Sequence, residues 1–138
     1  MKSRIQLYLL ILLSSSFLLM SCNSNEFSKK EDAIKPFKIQ VEKNEKGIKL
    51  KCLEGCAWID LTFDKNNYQP QTVNEFGMVN PDGKQPISDS SLADFLFTIS
   101  KTEDGIELIG KEGTAWKELK FKLNNYQPQL IDQMGMSK

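Results

Sequence analysis

The chain of 138 residues contains no histidine. Histidine is the base in Ser-His-Asp and Cys-His catalysis and the commonest side-chain ligand of transition metals, so the sequence excludes those reactions and most zinc or copper sites. It also lacks a glycine-rich nucleotide-binding loop and an acidic calcium loop. Glu54 and Glu112 stand in similar turns and could pair in a hydrolase, but a glutamate before a turn glycine is usually only solvated. We therefore expect no cofactor, no metal ion and no enzymatic activity.

A surplus of basic charge is also absent, since the chain has 18 basic and 18 acidic side chains. Without its first 21 residues it would carry 16 basic and 18 acidic side chains, a net charge of about −2. Binding to nucleic acid needs a concentrated basic surface that neutralises phosphates. We therefore expect no nucleic-acid partner.

Long apolar runs are scarce, and the one that occurs lies near the N-terminus. The stretch from Ile5 to Met20 is apolar apart from one glutamine and three serines, and it follows Lys2 and Arg4. A helix needs roughly 20 apolar residues to cross a bilayer core, so this run is too short for a permanent span. A short positive segment before a short apolar core predicts a signal peptide over residues 1–21.

The residues that end this segment, together with the cysteine directly after it, resemble a known sequence motif. The segment ends Leu19-Met20-Ser21-Cys22, which resembles the lipobox of bacterial lipoproteins, although that family more often has a small residue where Met20 stands. The resemblance implies cleavage before Cys22, a diacylglycerol thioether on its sulfur and acylation of the freed amine. Asn23 differs from the aspartate that resembles an inner-membrane retention signal. The resemblance therefore implies anchoring in the cell envelope, at the outer membrane on its periplasmic or outer face.

The alternative to lipidation is an ordinary secretory signal that a cysteine follows by chance. Two further stretches follow Cys22. Asn, Ser, Lys, Glu and Asp dominate residues 23–35, a composition that cannot offset the entropy of ordering. We expect residues 22–35 to form a flexible tether. The remaining stretch, 36–138, has the size of one domain with one modest core.

An internal duplication is the strongest pattern in this domain. Residues 37–80 align with residues 95–138 at a constant offset of 58 and without a gap. The hexapeptide Asn-Asn-Tyr-Gln-Pro-Gln occurs at 66–71 and recurs unchanged at 124–129. Six identical consecutive residues inside such an alignment do not arise by chance, so the domain consists of two copies of one unit.

Each copy is predicted to be built from β-strands. Phe37, Ile39 and Val41 alternate with polar residues, which is typical of a half-buried strand. A turn ending in Gly47 and a second strand from Ile48 follow, and the second copy repeats this order. We expect an all-β fold in which two antiparallel units of three to four strands pack as a small sandwich or barrel with pseudo-twofold symmetry.

The later strands of each copy are less regular. In the first copy Ala57, Ile59, Leu61 and Phe63 are expected on one face of a third strand, with the tryptophans of both copies on the opposite face. The proline of the hexapeptide blocks a central ladder position and predicts a loop or an edge strand. One short closing strand is expected after it, over 72–78 and again over 130–136.

Two cysteines remain once Cys22 is assigned to lipid. Cys52 and Cys56 flank a turn in the first copy, and the second copy has Gly110 and Thr114 in their places. Both cysteines are present in one copy and absent from the other, as expected if they act together. In an oxidising envelope compartment this predicts a Cys52–Cys56 disulfide, with a redox or metal-binding Cys-x3-Cys as the alternative.

Duplicated aromatic and amide residues are the remaining candidates for function. Such side chains stack on sugars or anchor protein partners, but they can also cover a small core and shape loops. The candidate partner-binding residues are Trp58, Tyr68, Gln69, Gln71, Trp116, Tyr126, Gln127 and Gln129.

Two functions follow from these candidates. The first is a membrane-anchored, non-enzymatic lipoprotein that binds an envelope protein or a polysaccharide through the two hexapeptide loops. The second is a carrier that holds a small apolar ligand between the sheets, which would require an internal cavity lined by residues such as Phe63 and Phe121.

Overall fold

The computed structural model describes residues 33–64, 69–80, 82 and 88–138. The predicted signal peptide, Cys22, most of the predicted tether and Tyr68 lie outside these ranges. In the described part of the chain all regular structure is β-strand, which confirms the all-β prediction. None of this part forms a helix of the length and apolarity that a bilayer span needs.

Within the described ranges, ten strands form two antiparallel sheets that pack as a sandwich and do not close into a barrel. The first copy supplies β1 Lys38–Lys43, β2 Gly47–Glu54, β3 Asp60–Asp64, β4 Gln71–Asn74 and β5 Gly77–Val79. The second copy supplies β6 Leu96–Lys101, β7 Gly105–Glu112, β8 Glu118–Lys122, β9 Gln129–Asp132 and β10 Gly135–Ser137. The strand orders are β10-β9-β1-β2-β3 and β5-β4-β6-β7-β8.

The core lies between the sheets and follows the predicted alternation. Phe37, Ile39 and Val41 are fully buried, and their counterparts in the second copy are buried as well. Phe37 and Phe95 meet with ring centroids 4.5 Å apart, so the two copies share one aromatic cluster. Burial of this kind contributes about 25 cal/mol per Å² of apolar surface and is the main stabilising term of the fold.

Each sheet contains strands from both copies. Strand β1 pairs with β9 of the second copy, and β6 pairs with β4 of the first. Each copy therefore places its first three strands in one sheet and its last two in the other. Replacing each strand by its counterpart in the other copy converts one sheet order into the other, as pseudo-twofold symmetry requires. Three to four strands were expected in each copy, and the described residues of each copy form five, because the closing segment is a hairpin.

A tight turn splits each closing segment into two strands where one was predicted. The Asn74 side-chain oxygen accepts a 2.9 Å hydrogen bond from the backbone N–H of Phe76, and Asp132 does the same for Met134 at 2.8 Å. Gly77 has φ 126°, a conformation that residues with a side chain rarely adopt. The chain reverses here, and the second strand pairs back onto the first.

The prediction for the third strand is wrong in part. Strand β3 begins only at Asp60, and Ile59 is 72% exposed. Trp116 is buried in the core, with Trp58 packed against the same cluster, so the tryptophans do not lie on the outer face. The chain leaves the sheet between β2 and β3, which turns Trp58 inward and Ile59 outward.

Candidate functional site

The hexapeptide at 124–129 and the described residues 69–71 of the other hexapeptide lie at the same end of the sandwich. Gly47 pairs with Asp64 and Gly105 pairs with Lys122, so β3 and β8 end beside the two hairpin turns. We call this the loop end, defined as the turns at 44–46 and 102–104 with residues 69–70 and 123–128. The two turns face each other across a cavity of about 30 Å³.

The described chain begins at the opposite end. Lys38, the first residue of β1, pairs with Glu54 next to a turn, and Phe37 donates a 3.2 Å backbone hydrogen bond to the Gln133 side chain. We call this the tether end, defined as residues 33–37, 55–59, 75–76, 88–95, 113–117 and 133–134. Strand β1 therefore separates the start of the described chain from the loop end.

Tyr126 is the most prominent side chain of the loop end. It is 62% exposed, and its φ of 59° is the left-handed conformation that bulky residues seldom adopt. Its backbone N–H donates a 3.0 Å hydrogen bond to the Lys43 carbonyl, and its hydroxyl donates one to the Glu45 carboxylate. Desolvation and the negative charge of Glu45 both raise the pKa of Tyr126. The turn of one copy thus holds the tyrosine of the other.

Amide side chains brace the same loop. The Asn124 amide donates to the Gln127 side-chain oxygen at 2.9 Å, and the Gln127 backbone N–H donates to the Asn124 carbonyl at 3.2 Å. The Gln129 amide donates to the carbonyls of Leu130 and Ser137 and so ties the loop to the edge hairpin. Gln129 is engaged within the fold, whereas Gln127 remains exposed.

The loop of the first copy is described only at its margins. Gln69 is exposed, and Gln71 is partly buried at the start of β4, with its amide 3.5 Å from the Gln69 carbonyl. Lys101 and Glu103 are the counterparts of Lys43 and Glu45, which lie beside Tyr126. The second copy therefore repeats, in sequence, the residue types that lie beside Tyr126.

The two tryptophans stand apart from the loop end. The Trp58 indole N–H donates a 2.8 Å hydrogen bond to the Asn74 carbonyl, and the Trp116 indole N–H donates a 2.9 Å bond to the Asp132 carbonyl. Each bond joins the two sheets near the tether end. The predicted candidates are therefore divided. Those at or beside the loop end are Gln69, Gln71, Tyr126, Gln127 and Gln129, whereas the two tryptophans lie near the tether end and Tyr68 is outside the described residues.

Lys43 and Glu45 were absent from the candidates predicted from the sequence. The signal that identifies them is the duplication, since lysine and glutamate recur at 101 and 103 while most residues of the neighbouring strands differ. Sequence alone assigns these residues to a solvated hairpin turn. Only the fold brings this turn next to a loop that belongs to the other copy.

Comparison with protein-family models, curated proteins and solved structures finds no match. The function therefore has to be argued from the geometry of this chain.

The Cys52–Cys56 disulfide is present, as predicted, with the α-carbons 6.2 Å apart. It lies at the tether end of β2, at the side of the sandwich farthest along the strand from the turn at 44–46. In the second copy the Thr114 hydroxyl donates a 2.9 Å hydrogen bond to the Trp116 carbonyl and occupies the space beside Gly110. A covalent bond in one copy thus corresponds to a hydrogen bond in the other.

A carboxylate with a raised pKa also lies at the tether end. Glu75 is 6% exposed, and burial raises its pKa while a hydrogen bond from the Phe95 backbone lowers it. Gln133, its counterpart, accepts the equivalent bond from Phe37. This correspondence indicates a structural role for Glu75. Within the described ranges no three acidic or cysteine side chains are grouped to hold a metal ion.

Proposed function

We propose that the protein is a lipid-anchored, non-enzymatic protein of the cell envelope that binds a protein or polymer partner through the loop end. The observation that carries this proposal is that the hexapeptide at 124–129 and the described residues 69–71 of the other hexapeptide lie at the end opposite to the start of the described chain. An anchor at Cys22 would join the domain through residues 33–37 at the tether end, so the attachment itself would not cover the loop end. A tether over residues 22–35 reaches at most about 50 Å when extended, which lets the loops meet partners beyond the lipid headgroups.

The preorganised Tyr126 supports binding at this end. A left-handed residue costs about 1–2 kcal/mol, and such strain is retained mainly where structure around it compensates and where the exposed group has a use. The bonds to Lys43 and Glu45 hold the ring in place before any partner arrives. Aromatic residues held in this way dominate binding energies because little conformational entropy is lost on association.

The retention of identical residues in both copies is a second support. The hexapeptide is unchanged between 66–71 and 124–129, and lysine and glutamate recur in both turns. Strands β3 and β8 share only their less exposed leucine and phenylalanine, and they differ at all three exposed positions. Exposed strand positions thus differ between the copies while exposed hexapeptide positions do not, and a shared contact of the hexapeptides accounts for this difference.

Crosslinking in the native envelope tests the proposal. Photo-crosslinkers are placed at Gln127 in the intact lipoprotein, and the captured species are compared with those from the doubly substituted Tyr68→Ala, Tyr126→Ala chain. We expect the double variant to lose the captured partner. The matched control replaces Met134, which is 69% exposed at the tether end, by alanine and should capture it as before. Equal capture by all three chains contradicts the proposal.

Anchoring is tested separately. The native chain should fractionate with membranes, and the mass of its N-terminal peptide should equal an acylated peptide that begins at Cys22. Cys22→Ser should release the protein from the membrane fraction, because a hydroxyl does not replace the thiol on which the thioether is built. A native protein without acyl mass on Cys22 would contradict the lipidation.

The carrier alternative finds less support. It needs an apolar cavity near Phe63 and Phe121, yet the cavity that Phe63 lines has a volume of about 10 Å³. This is room for roughly one water molecule, whereas ligand sites measure about 300–1,000 Å³. Leu50, Phe97 and Leu108 are fully buried between the sheets. Saturable binding of a long-chain fatty acid by the purified protein would restore this alternative.

A further inference from the structure

The two copies contact each other at two junctions, and equivalent strands form both junctions. Strand β1 pairs over Lys38–Val41 with β9, and β6 pairs over Leu96–Ile99 with β4. In each case the first strand of one copy receives the closing hairpin of the other. Both contacts have the same register, because the alignment of the two copies maps one set of paired residues onto the other.

The contacts that close this interface are also equivalent. Ile39 faces Ile131 and Phe97 faces Val73 across the two junctions, and all four are buried. At the tether end the backbone N–H of Phe37 bonds to Gln133, as that of Phe95 bonds to Glu75. An edge strand and a closing hairpin of one copy thus find their complements on the other copy.

We infer that each copy carries a self-complementary interface, formed by the outer edges of its first strand and of its closing hairpin, whose partner can equally belong to a second molecule of this protein. In the resulting dimer the first copy of each chain pairs with the second copy of the other. Two complete sandwiches form, with the same hydrogen bonds and buried residues as in one chain. Exchange of identical elements between molecules is a low-cost route to dimers because it creates no new interface.

The connection between the copies decides which partner is chosen. Residues 80–94 join β5 to β6, and their described members add no strand to either sheet, although the Ala93 backbone N–H donates a 2.9 Å hydrogen bond to the Gly55 carbonyl. A covalent connection gives the two copies of one chain an effective concentration on the order of millimolar. Dilute chains should therefore close on themselves. Exchanged dimers should form when chains refold at concentrations that approach this range, and crowding on a membrane favours them in the same way.

The test uses pairs of introduced cysteines, on different chains, that face each other only in an exchanged dimer. Two chains that begin at residue 23 are prepared, one with Gln40→Cys and the other with Leu130→Cys, since these residues are partners across β1 and β9. The mixture is unfolded in urea at about pH 4, where the introduced thiols stay protonated and do not attack Cys52–Cys56, and is refolded from micromolar to near-millimolar concentration. The refolded chains are then treated with copper phenanthroline, which accepts the two electrons that two thiols release when they form a disulfide. We expect a disulfide between the two chains whose yield rises at least tenfold over this range.

The same position supplies the control. Gln40 also faces Lys51 on β2, within one copy. An exchanged dimer keeps β1 and β2 in the same chain, so a mixture of Gln40→Cys with Lys51→Cys chains should stay at the background level of crosslinking. Light scattering on the unsubstituted chain measures the dimer fraction independently of any disulfide.

Two results overturn the inference. One is crosslinking of the first mixture no greater than that of the control at every concentration. The other is an unsubstituted chain that refolds to monomer alone across the whole range. Neither measurement involves a partner at the loop end, so failure of the proposed binding function leaves this inference standing, and the reverse also holds.

Discussion

The Trp116 indole nitrogen donates a 2.9 Å hydrogen bond to the backbone carbonyl of Asp132 and so joins the turn before β8 in one sheet to β9 in the other. Trp58 makes the same connection to Asn74 in the first copy. Both bonds cross the core between the sheets. They account for the presence of tryptophan at both positions without reference to a partner.

Replacement of this indole should lower stability. Trp116→Phe keeps an aromatic ring but leaves the Asp132 carbonyl without its donor, and a buried group that loses its partner costs about 1–3 kcal/mol. Trp58→Phe should cost less because Trp58 is only partly buried. Urea unfolding should show a lower midpoint with an unchanged slope. Lys117→Ala, at an exposed neighbour, is the control, and equal midpoints for it and Trp116→Phe would contradict this role.

The disulfide should be replaceable by the residues of the second copy. Cys52→Gly with Cys56→Thr rebuilds the arrangement of Gly110 and Thr114, so the chain should fold and lose about 2 kcal/mol, the chain-entropy contribution of a short loop. Mass spectrometry of the unreduced native protein should find neither thiol open to alkylation.

Adding a side chain at Gly110, the counterpart of Cys52, should destabilise the protein. A β-carbon on Gly110 would clash with the Trp116 carbonyl and the Thr114 hydroxyl, so we expect Gly110→Ala to lower stability by about 1–3 kcal/mol through overpacking. Circular dichroism during urea unfolding measures both variants. A Gly110→Ala chain as stable as the native protein would show that the two copies do not pack as described.

Glu75 should make stability depend on pH. Burial raises its pKa above the ordinary value of 4.5, so the folded state holds the proton more tightly than the unfolded state does. The stabilising contribution is complete below about pH 4.5 and is lost as the pH rises through the folded pKa. At neutral pH the ionised carboxylate therefore weakens the fold, and the nearby Asp94 carboxylate acts in the same direction.

Glu75→Gln should remove this effect, because an amide oxygen can still accept the bond from Phe95, as Gln133 does from Phe37. The variant should be more stable than the native protein at pH 7, with an advantage that shrinks as the pH falls toward 4.5. Unfolding at a series of pH values measures this difference, and Glu112→Gln, at an exposed carboxylate, is the control. An advantage that grows on acidification would contradict the assignment.

Substitutions of Tyr126 should show whether this residue contributes to stability or to binding of a partner. Tyr126→Gly relieves the left-handed strain, which offsets the loss of the bond to Glu45, so we expect stability within about 1 kcal/mol of the native value. Capture of a partner at the loop end should nevertheless fall. Tyr126→Phe keeps the ring and should retain most of the capture. If Tyr126→Gly unfolds the protein, the residue serves the fold and not a partner.

Local features of this chain were predictable from its sequence. The alternation of Phe37, Ile39 and Val41 indicates which face of β1 is buried, because successive residues of a strand point to opposite sides. The turn before Gly47 and the pairing of Cys52 with Cys56 are equally local. Each depends on residues at most a few positions apart, and the structure confirms all of them.

The partners of strands and loops were not predictable in the same way. The alternation of apolar and polar residues indicates which face of a strand is buried but not which strand lies beside it. It therefore could not show that β1 pairs with β9. It also could not place Glu45 beside Tyr126, nor turn Trp58 and Trp116 toward the core. These relationships depend on how two sheets close over one apolar interior, which involves the whole domain at once.

The order of amino acids is thus enough to specify an all-β domain made of two equivalent copies and the residues that the copies share. Folding of the whole domain adds that the copies exchange their closing hairpins, and that the described hexapeptide residues lie at the end opposite to the start of the described chain. The physical reason is that an isolated copy leaves the edge of its first strand unpaired and the apolar residues of its strands uncovered. The other copy offers the complementary edge and surface, and that requirement brings distant residues together.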